Sequence, residues 1–176
     1  FDYVFDTNFT ADLTIMEEGS EFLERFTHRG KHRWPMFTSC CPAWHSMIEK
    51  LYPSEFGKIS MTLTPMVFTA RLLKKHYPGC KVVFVGPCAA KKLEAIRADI
   101  RSDVDFVLTF EELQGMFEAQ EINFAELEDA VLVNEGSAAG RGFAVSGGVA
   151  KAVVDKYIKF SKLFYNLLHC IVSLFK

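Results

Sequence analysis

Lys81-Val82-Val83-Phe84-Val85-Gly86-Pro87-Cys88 is the stretch whose reading decides the fold class. Its first five residues form a continuous β-branched and aromatic run bounded by turn signals, which reads as a buried, parallel strand. Gly86-Pro87-Cys88 turns the chain, and a helix is expected from Ala89 to Arg97. Asp105 to Leu108 is a second short strand, Thr109 with Glu112 caps another helix, and Ala130 to Val133 is a third strand candidate. Upstream, Thr14 with Glu17 reads as a capping box opening a helix that runs to about Phe26, where His28-Arg29-Gly30-Lys31-His32-Arg33 breaks it. Trp34 to Thr38 is a short apolar run ending at Cys40-Cys41. Pro42 and Thr64-Pro65 each put proline in the first turn of a helix. Ala43, Trp44, Met47, Ile48 and Leu51 recur at helical spacing behind the first, and the second runs to about Tyr77. The alternation predicts an α/β chain of short parallel sheets flanked by helices.

The 176 residues suit one domain, or one lobe of something larger. With 49% hydrophobic and 24% charged residues the chain is globular rather than disordered. A net charge of -2 gives no basic footprint, so nucleic acid is not an expected partner. Five cysteines are too few for a disulfide scaffold, and a reduced, cytoplasmic setting is expected. The chain opens at Phe1 without a methionine, as a segment of a longer protein would. From Tyr157 to Lys176 no acidic residue occurs, and Phe160, Leu163, Phe164, Leu167, Leu168, Ile171, Leu174 and Phe175 form a helical stripe. The stretch free of lysine, Leu163 to Phe175, is shorter than the roughly 20 apolar residues a bilayer requires. It reads as a core-facing or partner-facing helix, not a membrane span.

Two motifs carry chemistry: Thr38-Ser39-Cys40-Cys41-Pro42-Ala43-Trp44, and Gly86-Pro87-Cys88-Ala89-Ala90-Lys91-Lys92-Leu93-Glu94. Each sets cysteine at a strand-to-helix junction, where the helix dipole and free N–H groups favour the thiolate. Junctions after parallel strands converge on one sheet edge, so Cys41 and Cys88 are expected to meet. Free cysteine is also a common small core residue, the expected role of Cys80 and Cys170. No Cys-x-x-Cys knuckle is present, which disfavours structural zinc. Gly136-Ser137-Ala138-Ala139-Gly140-Arg141-Gly142 lacks the Lys-Ser/Thr ending of a phosphate loop and reads as plain loop. Gly30 separates His28 from His32 and spoils the helix that would align them as ligands, and His45 is expected to be partly exposed.

The first motif, preceded by Pro35-Met36-Phe37, closely resembles the first signature of the iron-only hydrogenase ([FeFe]-hydrogenase) catalytic domain. Gly86-Pro87-Cys88 with Lys91 and Glu94 resembles its second. Phe5 to Glu18 resembles the stretch leading into that domain's acidic helix, and Gly147-Gly148 a later glycine pair. The resemblance covers about residues 1–154 and leaves 155–176 as a divergent basic and aromatic tail. It implies a two-lobed fold with an H-cluster between the lobes. That cofactor is a [4Fe-4S] cubane joined through a cysteine sulfur to a two-iron unit with CO, cyanide and a dithiolate bridge. By the same resemblance Cys41 and Cys88 match two of four cubane ligands, and Cys40 the thiol that passes protons to the bridge. Lys91 matches the lysine that hydrogen-bonds a cyanide. Glu18, Glu21 and Arg25 share a helix face and, with Ser60, match a proton path. Gly86, Pro87, Thr64, Pro65 and Met66 match positions around the cofactor. The implied reaction interconverts protons plus electrons with H2, with ferredoxin-like donors or accessory Fe–S domains as partners and dedicated proteins maturing the cluster.

Four departures stand out. Gly86 replaces the family's usual methionine, Met66 a frequent glutamine and Thr64 a frequent serine, as in sensor-like branches. The third signature, with the other two cubane cysteines, is absent, and Cys170 is the only cysteine after Cys88. The expectation is a catalytic-domain fragment unable to assemble a working H-cluster unaided. The alternative is a non-catalytic Fe–S protein, either a sensory homologue or one like an assembly factor.

Overall fold

The computed structural model describes residues 1–131 and 135–159. Its helices are α1 (Asn8–Thr27), α2 (Pro42–Leu51), α3 (Pro65–His76), α4 (Ala90–Ala95), α5 (Phe110–Ala119) and α6 (Ala138–Arg141), followed by a helix over 148–159. Strands β1 (Val83–Gly86) and β2 (Phe106–Thr109) pair in parallel, with Val83 opposite Phe106 and Gly86 opposite Thr109. A parallel bridge between Phe37 and Ile59 adds a second, minimal pairing. The α/β architecture of short parallel pairings among helices is the one the alternation implied.

Local chemistry accounts for most boundaries. Proline opens α2 and α3, where a missing N–H costs nothing. Thr109 and Glu112 cap each other's backbone at the start of α5. The core behind β1 gathers Met66, Val67, Ala70, Val82, Ile100 and Val104, with Phe84 and Leu63 at its fringe. α1 lies across α3 and α6, and its buried face is unusually polar, holding Thr10, Thr14, Glu18 and Arg25 beside Ala11 and Ile15.

Three expectations are corrected. α1 begins at Asn8, not near Thr14. Thr14 is buried within it and its hydroxyl donates to the carbonyls of Thr10 and Leu63, so Thr14 and Glu17 form no capping box. The glycine-rich stretch after 136 is not all loop, because Ser137 caps α6 and bonds Asp12 through both its N–H and its hydroxyl. Ala130 and Val131 lie outside any strand. Residues 132–134 of that candidate lie outside the described residues, as do the apolar tail from 160 and Cys170. Among the described residues, no helix is long and apolar enough to cross a membrane.

Candidate functional site

The first cysteine motif ends as α2 begins, with Cys41 at the N-cap and exposed, and Cys40 half-buried behind it. The second follows β1, where half-buried Cys88 precedes α4. Lys91 ties the two turns together. Its main-chain N–H donates to the carbonyl of Cys88 at 3.1 Å, and its Nζ donates to the carbonyl of Cys40 at 3.4 Å. The two helix-opening turns therefore face one another across a single lysine. Among the described residues no group of three or more metal-ligating side chains occurs. Two thiols suit iron–sulfur ligation, but they are an incomplete donor set for the H-cluster implied by the motifs.

Glu94 is the residue whose role the sequence concealed. Its carboxylate is 2% exposed, yet fully partnered. Lys91 Nζ donates to Oε2 at 2.7 Å, and the Thr64 hydroxyl donates to Oε1 at 2.7 Å. Thr64 is the N-cap of α3 but makes no cap bond with its side chain; its hydroxyl is turned to Glu94 instead. A buried charge demands such pairing. The readable signal was the spacing of Lys91 and Glu94, one helical turn apart. Met66 sits in the apolar core, Pro65 forms the first turn of α3, Gly86 is buried and Pro87 is exposed.

On the other side of Cys40 a polar line runs inward from α1. Arg25 donates to the carbonyls of Lys58 at 3.3 Å and Ile59 at 3.0 Å, and pairs with Glu21 at 2.5 Å. The Ser60 hydroxyl donates to Glu21 Oε2 at 2.5 Å, while the Ser39 hydroxyl donates to the carbonyl of Ser60 at 2.5 Å. Glu18 lies at the inner end, 1% exposed, with neither carboxyl oxygen hydrogen-bonded. Burial pushes its carboxyl up to about 7; the nearby Ser60 hydroxyl opposes that shift, the charge of Glu21 adds to it and the Ser39 main chain opposes it. Burial and the charge of Glu18 push the Cys40 thiol up to about 11, against the pull of Lys91. This corrects the expectation of a lowered thiol there, because desolvation outweighs the helix terminus. A cavity of about 60 Å³ touches Ser39, Ser60, Thr64 and Glu94, so the two polar clusters share one small void. Half-buried His45 also lines it and packs edge-on against Phe56.

His28 and His32 sit apart from this site. Both turn toward Glu24 Oε1, at 3.9 and 3.1 Å, on an exposed surface.

Residues 1–166 match the family described as iron only hydrogenase large subunit, C-terminal domain. Iron hydrogenase 1 of Clostridium pasteurianum is 38% identical, over 92% of this chain and 30% of its own length. The periplasmic [Fe] hydrogenase large subunit of Nitratidesulfovibrio vulgaris is 38% identical, over 88% of this chain and 40% of its own. Among solved structures, an apo [FeFe]-hydrogenase variant from Chlamydomonas reinhardtii superposes with a TM-score of 0.72 at 40% identity, covering 88% of this chain and 43% of that one. Proteins named nuclear prelamin A recognition factor and cytosolic Fe-S cluster assembly factor also match, at 32% to 34% identity. The chain thus spans well under half the length of the hydrogenases it matches.

Proposed function

Since the chain belongs to the iron-only hydrogenase large-subunit family, we propose that it forms the proton-handling portion of a catalytic domain that interconverts protons plus electrons with H2. The observation that carries this reading is Glu18, a buried carboxyl without a hydrogen bond, at the inner end of the Arg25–Glu21–Ser60 line and in electrostatic contact with Cys40. A buried carboxyl left without a partner costs stability, whereas an acid near neutral pKa is suited to exchanging protons. Arg25 holds Glu21 in place, the Ser60 hydroxyl bridges Glu21 toward Glu18, and Glu18 trades its proton with the Cys40 thiol.

Cys41 and Cys88 would supply two thiolates to a [4Fe-4S] cubane. Lys91, fixed by Glu94, would offer an ammonium donor to an anionic group of the bound cofactor. Gly86, Pro87, Thr64, Pro65 and Met66 shape the surrounding wall. No step at the metal is assigned to this chain alone, because two thiols are fewer than a cubane takes. Ferredoxin-like donors or accessory Fe–S domains would deliver electrons, and maturation proteins would install the cluster. A reducing, cytoplasmic setting belongs to the same proposal.

A second reading, Fe–S binding without hydrogen chemistry, is favoured by Gly86 and by the assembly-factor relatives. A chimera separates the two, with residues 1–154 replacing the matching segment of the Clostridium pasteurianum iron hydrogenase 1. After anaerobic maturation the first reading expects hydrogen evolution that Cys40→Ser and Glu18→Gln abolish. Cluster spectra without gas would favour the second reading, and a chimera that folds but loads no cluster would overturn both.

A further inference from the structure

Position 86 belongs to the strand that delivers Cys88, and its side chain is missing for a geometric reason. Residues 84 and 86 of β1 project from the same face of the strand. A Cβ placed on Gly86 would lie 2.7 Å from Phe84 Cε1 and 2.9 Å from Phe84 Cζ. Carbon atoms in packed interiors stay roughly 3.5–4.0 Å apart, so the ring stands in the volume a side chain at 86 would need. The half-buried ring packs against the core that includes Met66, Val67 and Val82, so moving it aside disturbs that packing. Gly86 itself is buried, its backbone is held in register with Thr109, and Pro87 stiffens the next step.

We infer that Phe84 is a positioning residue for the Cys88 turn: its ring, in place of any side chain at 86, forms the apolar wall that fixes where the turn stands. Phe84 and Gly86 therefore work as a large–small pair, and neither can change size without the other. The importance of Cys88 rests on the proposed function, whereas the pairing rests on geometry alone.

The test uses the full metal-free chain and two readouts, the thermal midpoint and the alkylation rate of Cys88 followed by peptide mass spectrometry. Gly86→Ala should lower the midpoint by several degrees, and the same change on a Phe84→Ala background should cost far less. Phe84→Ala should also accelerate Cys88 alkylation severalfold. Val67→Ala, a cavity elsewhere in the same core, should lower the midpoint while leaving the Cys88 rate unchanged. If Phe84→Ala does not fold, Phe84→Leu carries both comparisons. Additive midpoints, or equal acceleration by Val67→Ala, would overturn the inference. A chimera without cluster would sink the proposed function and leave this coupling standing.

Discussion

At Glu18 and Glu94 the molecule buries two carboxyls by opposite means. Glu94 has an ammonium and a hydroxyl within 2.7 Å; neither carboxyl oxygen of Glu18 has a hydrogen-bond partner. Its folded value of about 7 stands above the ordinary 4.5, so the folded chain grips this proton more tightly than the unfolded one. The stability this group lends is whole below pH 4.5 and is lost as pH climbs through 7. The gap is worth about 3 kcal/mol at one-unit steps of ~1.4 kcal/mol each. Glu18→Gln abolishes the titration, so its melting temperature relative to the parent should rise between pH 4.5 and 7 and then level off. A difference that stays flat across that window would show an ordinary carboxyl. The helical spacing of Glu18, Glu21 and Arg25 is legible in the sequence, as is that of Lys91 and Glu94. What stays hidden is burial. Ser60 and Thr64 reach their carboxylates from 39 and 30 residues away, and no local window shows which glutamate loses its water.

Elements whose boundaries depend on neighbouring residues are the ones readable beforehand. Proline at 42 and 65 opens α2 and α3, and the Thr109–Glu112 pair opens α5. Both devices act within four residues. Because that cap is exposed and complete, Thr109→Ala should destabilise the chain by about 1 kcal/mol, measured by urea denaturation, with Thr109→Ser close to neutral. Thr14 and Glu17 show the same letters without the same structure. A mid-helix threonine can satisfy its hydroxyl on the carbonyl four residues back, and Thr14 does so, so pattern alone cannot separate cap from interior. α6 is the converse case, a glycine-rich stretch made helical beside Ser137, which bonds Asp12 across 125 positions of sequence.

At the scale of the whole molecule, what is exposed matters as much as what is packed. Leu93, Ile96, Phe106 and Phe110 are all more than half exposed around β2. A cleft of about 270 Å³ opens among Ala95, Ile96, Val104, Phe106 and Val107, with Lys92, Arg101 and Asp105 also lining it. Large apolar side chains left this exposed are a liability in an isolated chain. The isolated chain should bind a hydrophobic dye, and Ile96→Ser with Phe106→Ser should reduce the signal without shifting the far-ultraviolet spectrum. An unchanged signal would place the sticky surface elsewhere. The α/β class is legible because strands and helices differ in period, whereas the sides of the sheet left uncovered depend on the assembled topology. The polar inner face of α1 carries a thermodynamic corollary. Hydrating apolar groups raises heat capacity and hydrating polar ones lowers it, so detaching this helix exposes terms of opposite sign. Calorimetry would record its release as a shallow step, with less curvature against temperature than a greasy helix of equal length would give.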